Sequence, residues 1–414
     1  MAPTLSQLLR ALSQVADLAE AKEPGHAQRV AVLGLRFASE LQHNAQHERA
    51  DIAIAALLHD IGLSSVSYGL YQRFGGGERE LLARYPSYQD ALFGTEEALP
   101  GVSALLSRHC EAGSRMLQQL GYRLEVVQAV AHHHTRFDCA VGNVPLNAKL
   151  IGLADLLETG CAGLDTVAAR CERAAHILDT VSDFLVEPAL IDTLRRSACA
   201  TETWEAAYFL DDIDATLSAL VGSEELSKES VEAHLRALAE FIDAQSPYTV
   251  GHSFAVARLS RRIAEQIGLD LDIIEHIYLA SLIHGAGRLS IPSAILEKRS
   301  GLATHEITLL QSYPNVTREV LAPLIGLRPL IDDACTHREK LDGSGYPEAR
   351  HGESIPLIGR VLAVADTFVA LTSERPYRPA YSRSRAVAII QAESARLFDG
   401  LVTDALENVY REGF

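Results

Sequence analysis

Ala55-Ala56-Leu57-Leu58-His59-Asp60-Ile61-Gly62 is the stretch on which the reading of this chain turns. An apolar helical run ends in two adjacent ionisable residues, and Ile-Gly closes it. Burying such a pair beside Leu57 and Leu58 without a partner costs several kcal/mol or forces neutralisation. A neutral imidazole and a carboxylate are together a natural pair of metal ligands. The bland alternative is a histidine bonded to backbone and a surface aspartate, so the decision rests on whether further ligand types recur along the chain.

They recur as an internal repeat. Gly25-His26 opens a helix-like segment, and Gly251-His252 opens another. His59 follows His26 by 33 residues, and His284 follows His252 by 32. His109 stands 24 residues before His133, as Tyr313 stands 24 before His337. Val144-Pro145-Leu146 leads to Asp155, and Ile355-Pro356-Leu357 leads to Asp366. Within the run His132-His133-His134 the register is set by Asp138, five residues after His133 as Asp342 is after His337. About twenty extra residues separate His59 from His109, within Tyr68–Pro100. They read either as a surface insertion or as a lid.

The periodicity is helical almost throughout. Val30, Leu33, Phe37 and Leu41 share a face, as do Val256, Leu259, Ile263 and Ile267. Strand alternation is nearly absent, so the expected fold is all-α. It comprises one copy over 1–200, an acidic helical connector over 201–229 and a second copy over 230–414. A net charge of −17 argues against nucleic-acid duplexes as partners. No apolar run is long enough to span a bilayer, and a cytoplasmic setting with six reduced cysteines is expected.

The first copy offers His26, His59, Asp60, His109, His133, His134 and Asp155. Five imidazoles and two carboxylates suit iron or manganese, with zinc as an alternative, rather than calcium or magnesium. Seven ligands exceed what one ion takes. Two divalent ions with Asp60 between them fit, and such pairs activate water for attack on phosphorus. His59 and Asp60 are therefore the candidate catalytic residues. The second copy reads His252, His284, Gly285, Tyr313, His337, Arg338 and Asp366, which is a degenerate set.

These residues resemble the HD superfamily of metal-dependent phosphohydrolases, and in particular its HD-GYP branch. The resemblance is close in the second copy, through Glu339-Lys340-Leu341-Asp342-Gly343-Ser344-Gly345-Tyr346-Pro347, Ile355-Pro356-Leu357, Val364-Ala365-Asp366 and Ala370-Leu371-Thr372-Ser373-Glu374-Arg375-Pro376-Tyr377-Arg378. It implies two tandem HD-type helical bundles and cleavage of cyclic di-GMP or a related cyclic nucleotide. It also implies phosphate contacts at Arg375 and Arg378, and docking of a diguanylate cyclase domain through Gly345-Tyr346-Pro347.

The departures from the family pattern are specific. The lysine that follows the family's HDxG is Leu63 in the first copy and Arg288 in the second, and the first copy has no GYP signature. Its phosphate contacts would then come from Arg115, Arg136 or Lys149. The leading expectation is a phosphodiesterase in the first copy and a regulatory or binding module in the second. The alternatives are an HD-type di-iron oxygenase and a non-enzymatic cyclic-dinucleotide-responsive scaffold. A homodimer is compatible with either.

Overall fold

The computed structural model describes residues 2–19, 22–74, 102–136, 143–181, 187–209 and 213–413. The insertion therefore lies outside the described residues from 75 onward, as does Asp138. Among the described residues the secondary structure is helical with a few isolated bridges and no strand. None of those helices is long and apolar enough to cross a membrane. The chain divides into two compact units, Thr4–Leu226 and Ser227–Phe414, the second taking in Met1–Pro3.

The first unit is built around the helix His26–Glu40, against which Gln46–Leu57 and Leu146–Cys161 pack. Its core residues Val30, Leu33 and Phe37 are wholly buried, as the period predicts. Val102–Gln119 and Leu124–His132 pack on each other and carry the later histidines. Thr201–Phe209 and Ile213–Val221, in the stretch read as a connector, pack within this unit. The former buries Trp204 completely, and its indole N–H donates to the Ala198 carbonyl at 2.9 Å. Each fully buried side chain of this kind contributes roughly 1.5–3 kcal/mol.

In the second unit Lys228–Asp243, His252–Ile267, Leu271–Ile283, Thr304–Val320 and Leu357–Thr372 repeat the same succession. The repeat extends to a device the sequence did not disclose. The helix His26–Glu40 starts from Gly25 at φ 85° and His252–Ile267 from Gly251 at φ 75°, a conformation that suits glycine. Neither cap residue has a side chain to satisfy the first amides. A buried aspartate nine residues upstream of each histidine does so instead. Asp17 accepts from the amides of Gly25 and Ala27 at 2.9 and 3.2 Å. Asp243 accepts from the Ser253 amide at 2.7 Å and its hydroxyl at 2.8 Å. A carboxylate against these exposed N–H groups also opposes the positive end of the helix.

The turn after His59 is held by contact rather than by hydrogen bonds alone. A Cβ on Gly62 would overlap the His109 carbonyl oxygen and the Gly113 amide nitrogen, and one on Gly287 would overlap the same groups of Tyr313 and Thr317. Glycine here lets the turn touch the helix that carries the next candidate ligand. Gly62→Ala is accordingly expected to cost roughly 1–3 kcal/mol through overpacking, read as a lower denaturation midpoint.

Candidate metal centre

Six candidate side chains of the first unit, His26, His59, Asp60, His109, His133 and Asp155, are buried, and His134 is half-buried. They come from the start of one helix, the turn ending another, and the middle or end of three more. Nδ1 of His59 lies 2.7 Å from the Ala56 carbonyl oxygen, and Nδ1 of His133 lies 2.7 Å from that of Val130. A carbonyl only accepts, so each Nδ1 carries a proton and each Nε2 faces inward.

The inward atoms converge. His59 Nε2 lies 2.8 Å from Asp60 Oδ2 and 3.7 Å from Asp155 Oδ1, while His26 Nε2 lies 3.2 Å from Asp155 Oδ1. His109 and His133 approach the other oxygen of Asp60, Oδ1, at 3.4 and 3.9 Å. The atoms form two groups, each within 4.8 Å: His26, His59, Asp60 and Asp155; and Asp60, His109, His133 and His134. Asp60 belongs to both, with one oxygen turned to each.

The electrostatics match a site shaped for cations. Burial opposes ionisation of Asp60, yet His59 and Lys22 hold its carboxyl well below the usual range. Burial likewise disfavours a charged His59, but Asp60 and Asp155 hold that imidazole well above its ordinary value. These carboxylates therefore draw positive charge to the inward nitrogens. On the far side, burial together with neighbouring His133 and His109 keeps His134 well below its ordinary value, hence neutral and able to ligate. His109 Nε2 and His133 Nε2 lie only 3.3 Å apart, a contact that needs a cation or proton between them. The donor set fits two divalent ions.

Three further residues serve this cluster and escaped the sequence reading. Glu158 is fully buried, bonds His26 Nδ1, and receives Arg29 Nε at 2.5 Å. Burial raises its pKa, but His26 and Arg29 bring it down to about 2, so it remains an anion that orients the imidazole. Glu158 lies three residues after Asp155, and Arg29 three after His26, so a same-face rule would have exposed them. Lys22 had no comparable signal. Its ammonium lies 3.1 Å from Asp60 Oδ2, 3.7 Å from Asp155 Oδ1 and 3.0 Å from His26 Nε2.

The expected phosphate-binding cations are placed differently. Lys149 is tied to Glu187, and Arg115 sits on the exposed side of its helix; neither is joined to the cluster by an ion pair. Arg136 is half-buried, two residues beyond His134. Leu63, at the position of the family's lysine, is buried in the core.

The second unit has the same scaffold with its ligand positions otherwise engaged. His252 Nε2 lies 3.0 Å and His284 Nε2 3.8 Å from Asp366 Oδ1. These three form a compact group like those of the first unit. His337 Nδ1 lies 2.6 Å from the Ala334 carbonyl, so its Nε2 accepts from the Tyr313 hydroxyl at 2.5 Å. That hydroxyl accepts in turn from Arg338 Nε at 2.8 Å, and Arg338 Nη2 lies 3.0 Å from Asp366 Oδ2. Gly285 leaves the bridging carboxylate without an equivalent. Arg375 faces a cavity. Arg378 instead spends its guanidinium on the carbonyls of Leu371, Pro379 and Ala370, at 3.1, 3.0 and 2.6 Å.

Comparisons with known proteins agree with this architecture. Profiles of the HD domain match residues 25–160 and 236–402. The chain is 29% identical over 316 residues to 3'3'-cGAMP-specific phosphodiesterase 1 of Vibrio cholerae, covering 72% of this chain and 73% of the relative. It is 26% identical over 431 aligned positions to phosphodiesterase 3 of the same specificity and organism, covering 94% and 90%. The crystal structure of a V. cholerae cyclic GMP-AMP specific phosphodiesterase, V-cGAP3, superposes with a TM-score of 0.66 at 23% identity, covering 99% of this chain and 98% of that one. Two profile matches, relatives spanning most of the chain and a shared fold lead to one assignment: this chain belongs to the HD-domain family and carries two HD domains in tandem.

Proposed function

We propose that the first HD domain is a metal-dependent phosphodiesterase that opens a cyclic dinucleotide, cyclic GMP-AMP or cyclic di-GMP, and that the second domain does not hydrolyse. One observation carries the division of labour. In the first domain the inward imidazole nitrogens meet carboxylates, a lysine, the Cys110 thiol and each other, whereas in the second Tyr313 and Arg338 fill the equivalent positions with strong donors. The relatives named above, which cleave a cyclic dinucleotide by their names, support the substrate class.

His26, His59, Asp60 and Asp155 would hold one divalent ion, and Asp60, His109, His133 and His134 a second. Iron or manganese suits this nitrogen-rich set. Bound ions would supply Lewis-acid activation of water and of the phosphodiester. The remaining work belongs to the chain. Asp60 keeps a full charge in a dry site and holds both groups in register. Glu158 fixes the ring of His26. Lys22, on a flexible four-carbon stem, can exchange its carboxylate partners for a phosphate oxygen, the role left open by Leu63. The tyrosine of Gly345-Tyr346-Pro347 is a wall of the second domain's cavity, and the same motif is the proposed docking point for a diguanylate cyclase domain.

Glu158→Gln keeps the volume and removes the anion behind His26. A loss of about 10–100-fold in metal affinity is expected, with helical content unchanged, as metal titration followed by circular dichroism would read. The function itself is tested by reconstituting chelated protein with manganese or iron and assaying cyclic GMP-AMP, cyclic di-GMP and linear dinucleotides. Metal-dependent release of a linear dinucleotide is expected. Iron-loaded protein that consumes oxygen and hydrolyses none of these would overturn the reading.

A further inference from the structure

The first ligand group of the first domain holds a cation of the protein's own. The Lys22 ammonium lies 3.0 Å from His26 Nε2, 3.1 Å from Asp60 Oδ2 and 3.7 Å from Asp155 Oδ1. His59 Nε2, the fourth atom of that group, lies 2.8 Å from the same oxygen of Asp60. Nδ1 of His26 is engaged by Glu158, so Nε2 is the atom this imidazole offers to an ion or to the ammonium. These ligand atoms all lie within 4.8 Å of one another, so they enclose one cation. A divalent ion and an ammonium sharing that space would repel at close range.

The root of this side chain is fixed and its tip is not. Lys22 stands four residues before His26, in the turn that leads into the helix His26–Glu40. Its amide donates to the Asp17 carbonyl at 3.1 Å, while the Asp17 carboxylate caps the helix through the amides of Gly25 and Ala27. The ammonium reaches the group along a flexible four-carbon stem. The Lys22 side chain is 12% exposed, against 1% for His26 and 2% for Asp155, so it enters from the solvent side. It can swing out with the backbone in place. The second domain balances its aspartate differently. The position four residues before His252 is Tyr248, and the cation on Asp366 is Arg338, whose Nε is held by the Tyr313 hydroxyl. Arg338 is thus secured by a residue outside the acidic group, whereas Lys22 draws on the ligand atoms themselves.

We propose that Lys22 is a built-in surrogate for one of the two ions. Its ammonium balances the buried carboxylates of Asp60 and Asp155, and an ion joins His26, His59, Asp60 and Asp155 only by displacing it. Buried carboxylates need such a counter-charge. An ammonium supplies one unit of charge at a cost in rotamer freedom, whereas a divalent ion supplies two and bonds the ligands directly. His109, His133 and His134, with the other oxygen of Asp60, therefore fill first, and the two ions bind with different affinities. The inference rests on the two-ion reading of this site and is independent of what the site hydrolyses.

The test is calorimetric titration of the full chain, stripped with chelator and dialysed, with manganese alone, followed by denaturant melts at each loading. Two events of one ion per chain are expected in the wild type, separated by about tenfold or more in affinity. Lys22→Met keeps the stem and removes the charge. In that variant the weaker event should tighten about tenfold or more while the stronger changes little. Without metal the variant should unfold at lower denaturant than the wild type, and saturating manganese should close the gap. Lys22→Arg restores a cation and should return the weaker event towards its wild-type affinity. Asp155→Asn should abolish the weaker event and spare the stronger, which assigns each event to its group. A weaker event that is unchanged or further weakened in Lys22→Met would overturn the proposal, as would loss of the stronger event in Asp155→Asn. A wild-type chain that binds no ion would overturn both the proposal and the two-ion reading. The expected pattern in a chain that hydrolyses no dinucleotide would uphold the proposal and remove the phosphodiesterase reading.

Discussion

Asp60→Asn is expected to reduce bound metal from two ions per chain to at most one and to cut hydrolysis by on the order of a thousandfold or more. The side chain is the one carboxylate common to both ligand groups, with Oδ2 at 2.8 Å from His59 Nε2 and Oδ1 at 3.4 Å from His109 Nε2. Asparagine preserves the shape but carries no net charge, and its nitrogen is a donor where an acceptor is required. A paired metal centre contributes several kcal/mol of charge stabilisation in the transition state, and about 4 kcal/mol is a thousandfold in rate. His59 and Lys22 would also lose the anion that faces them, so the variant should melt lower. Metal analysis, initial rates and a thermal scan on one preparation read all three effects. Unchanged metal content with unchanged rate would remove Asp60 from the centre.

Arg338→Met is expected to be the most damaging single change to the second domain. Asp366 is buried at 1% exposure, and Arg338 is its ion-pair partner at 3.0 Å. Breaking a buried pair from one side costs roughly 3–5 kcal/mol because the other charge is left behind. The Arg338 side chain is 31% exposed, so solvent screens part of that cost, and roughly 2–3 kcal/mol is the better expectation. The same change leaves His252, His284 and Asp366 facing one another without the guanidinium. Added zinc or manganese should therefore restore part of the lost stability in the variant and do little for the second domain of the wild type. Denaturant melts with and without metal would show this. A variant as stable as the wild type would mean that Asp366 does not need Arg338.

The repeat made the fold legible. Two spacings between histidines and a shared Pro-Leu lead into an aspartate were enough to read the chain as one helical unit present twice. The histidine and aspartate positions were legible for the same reason, since they recur at fixed separations whether they begin a helix, follow its end or lie in its middle. What stayed hidden were partners reached through space. Asp17 and Asp243 cap their helices from nine residues away, across a turn whose path the sequence does not state. Lys22 reaches Asp60 from 38 positions away, and Glu158 reaches His26 from 132.

Of the expected phosphate cations, Lys149 follows Pro145 by four residues as Arg360 follows Pro356, so the two hold corresponding places in the repeat. The structure explains the pairing without phosphate: Lys149 is tied to Glu187 just as Arg360 is tied to Asp399. Those two positions are equivalent because both brace a helix in the same place. Arg375 and Arg378 were read as a pair, yet only Arg375 lines the cavity, because Arg378 is bonded to the carbonyls of Ala370 and Leu371 at the end of the preceding helix and to that of Pro379.

Anomalous diffraction at the metal absorption edge, from crystals of the manganese- or iron-loaded chain, tests the central claim most directly. Two peaks about 3.5–4 Å apart are predicted, one on each side of Asp60, with none at Asp366. A single peak among the first domain's histidines, or any peak bounded by His252, His284 and Asp366, would contradict the account.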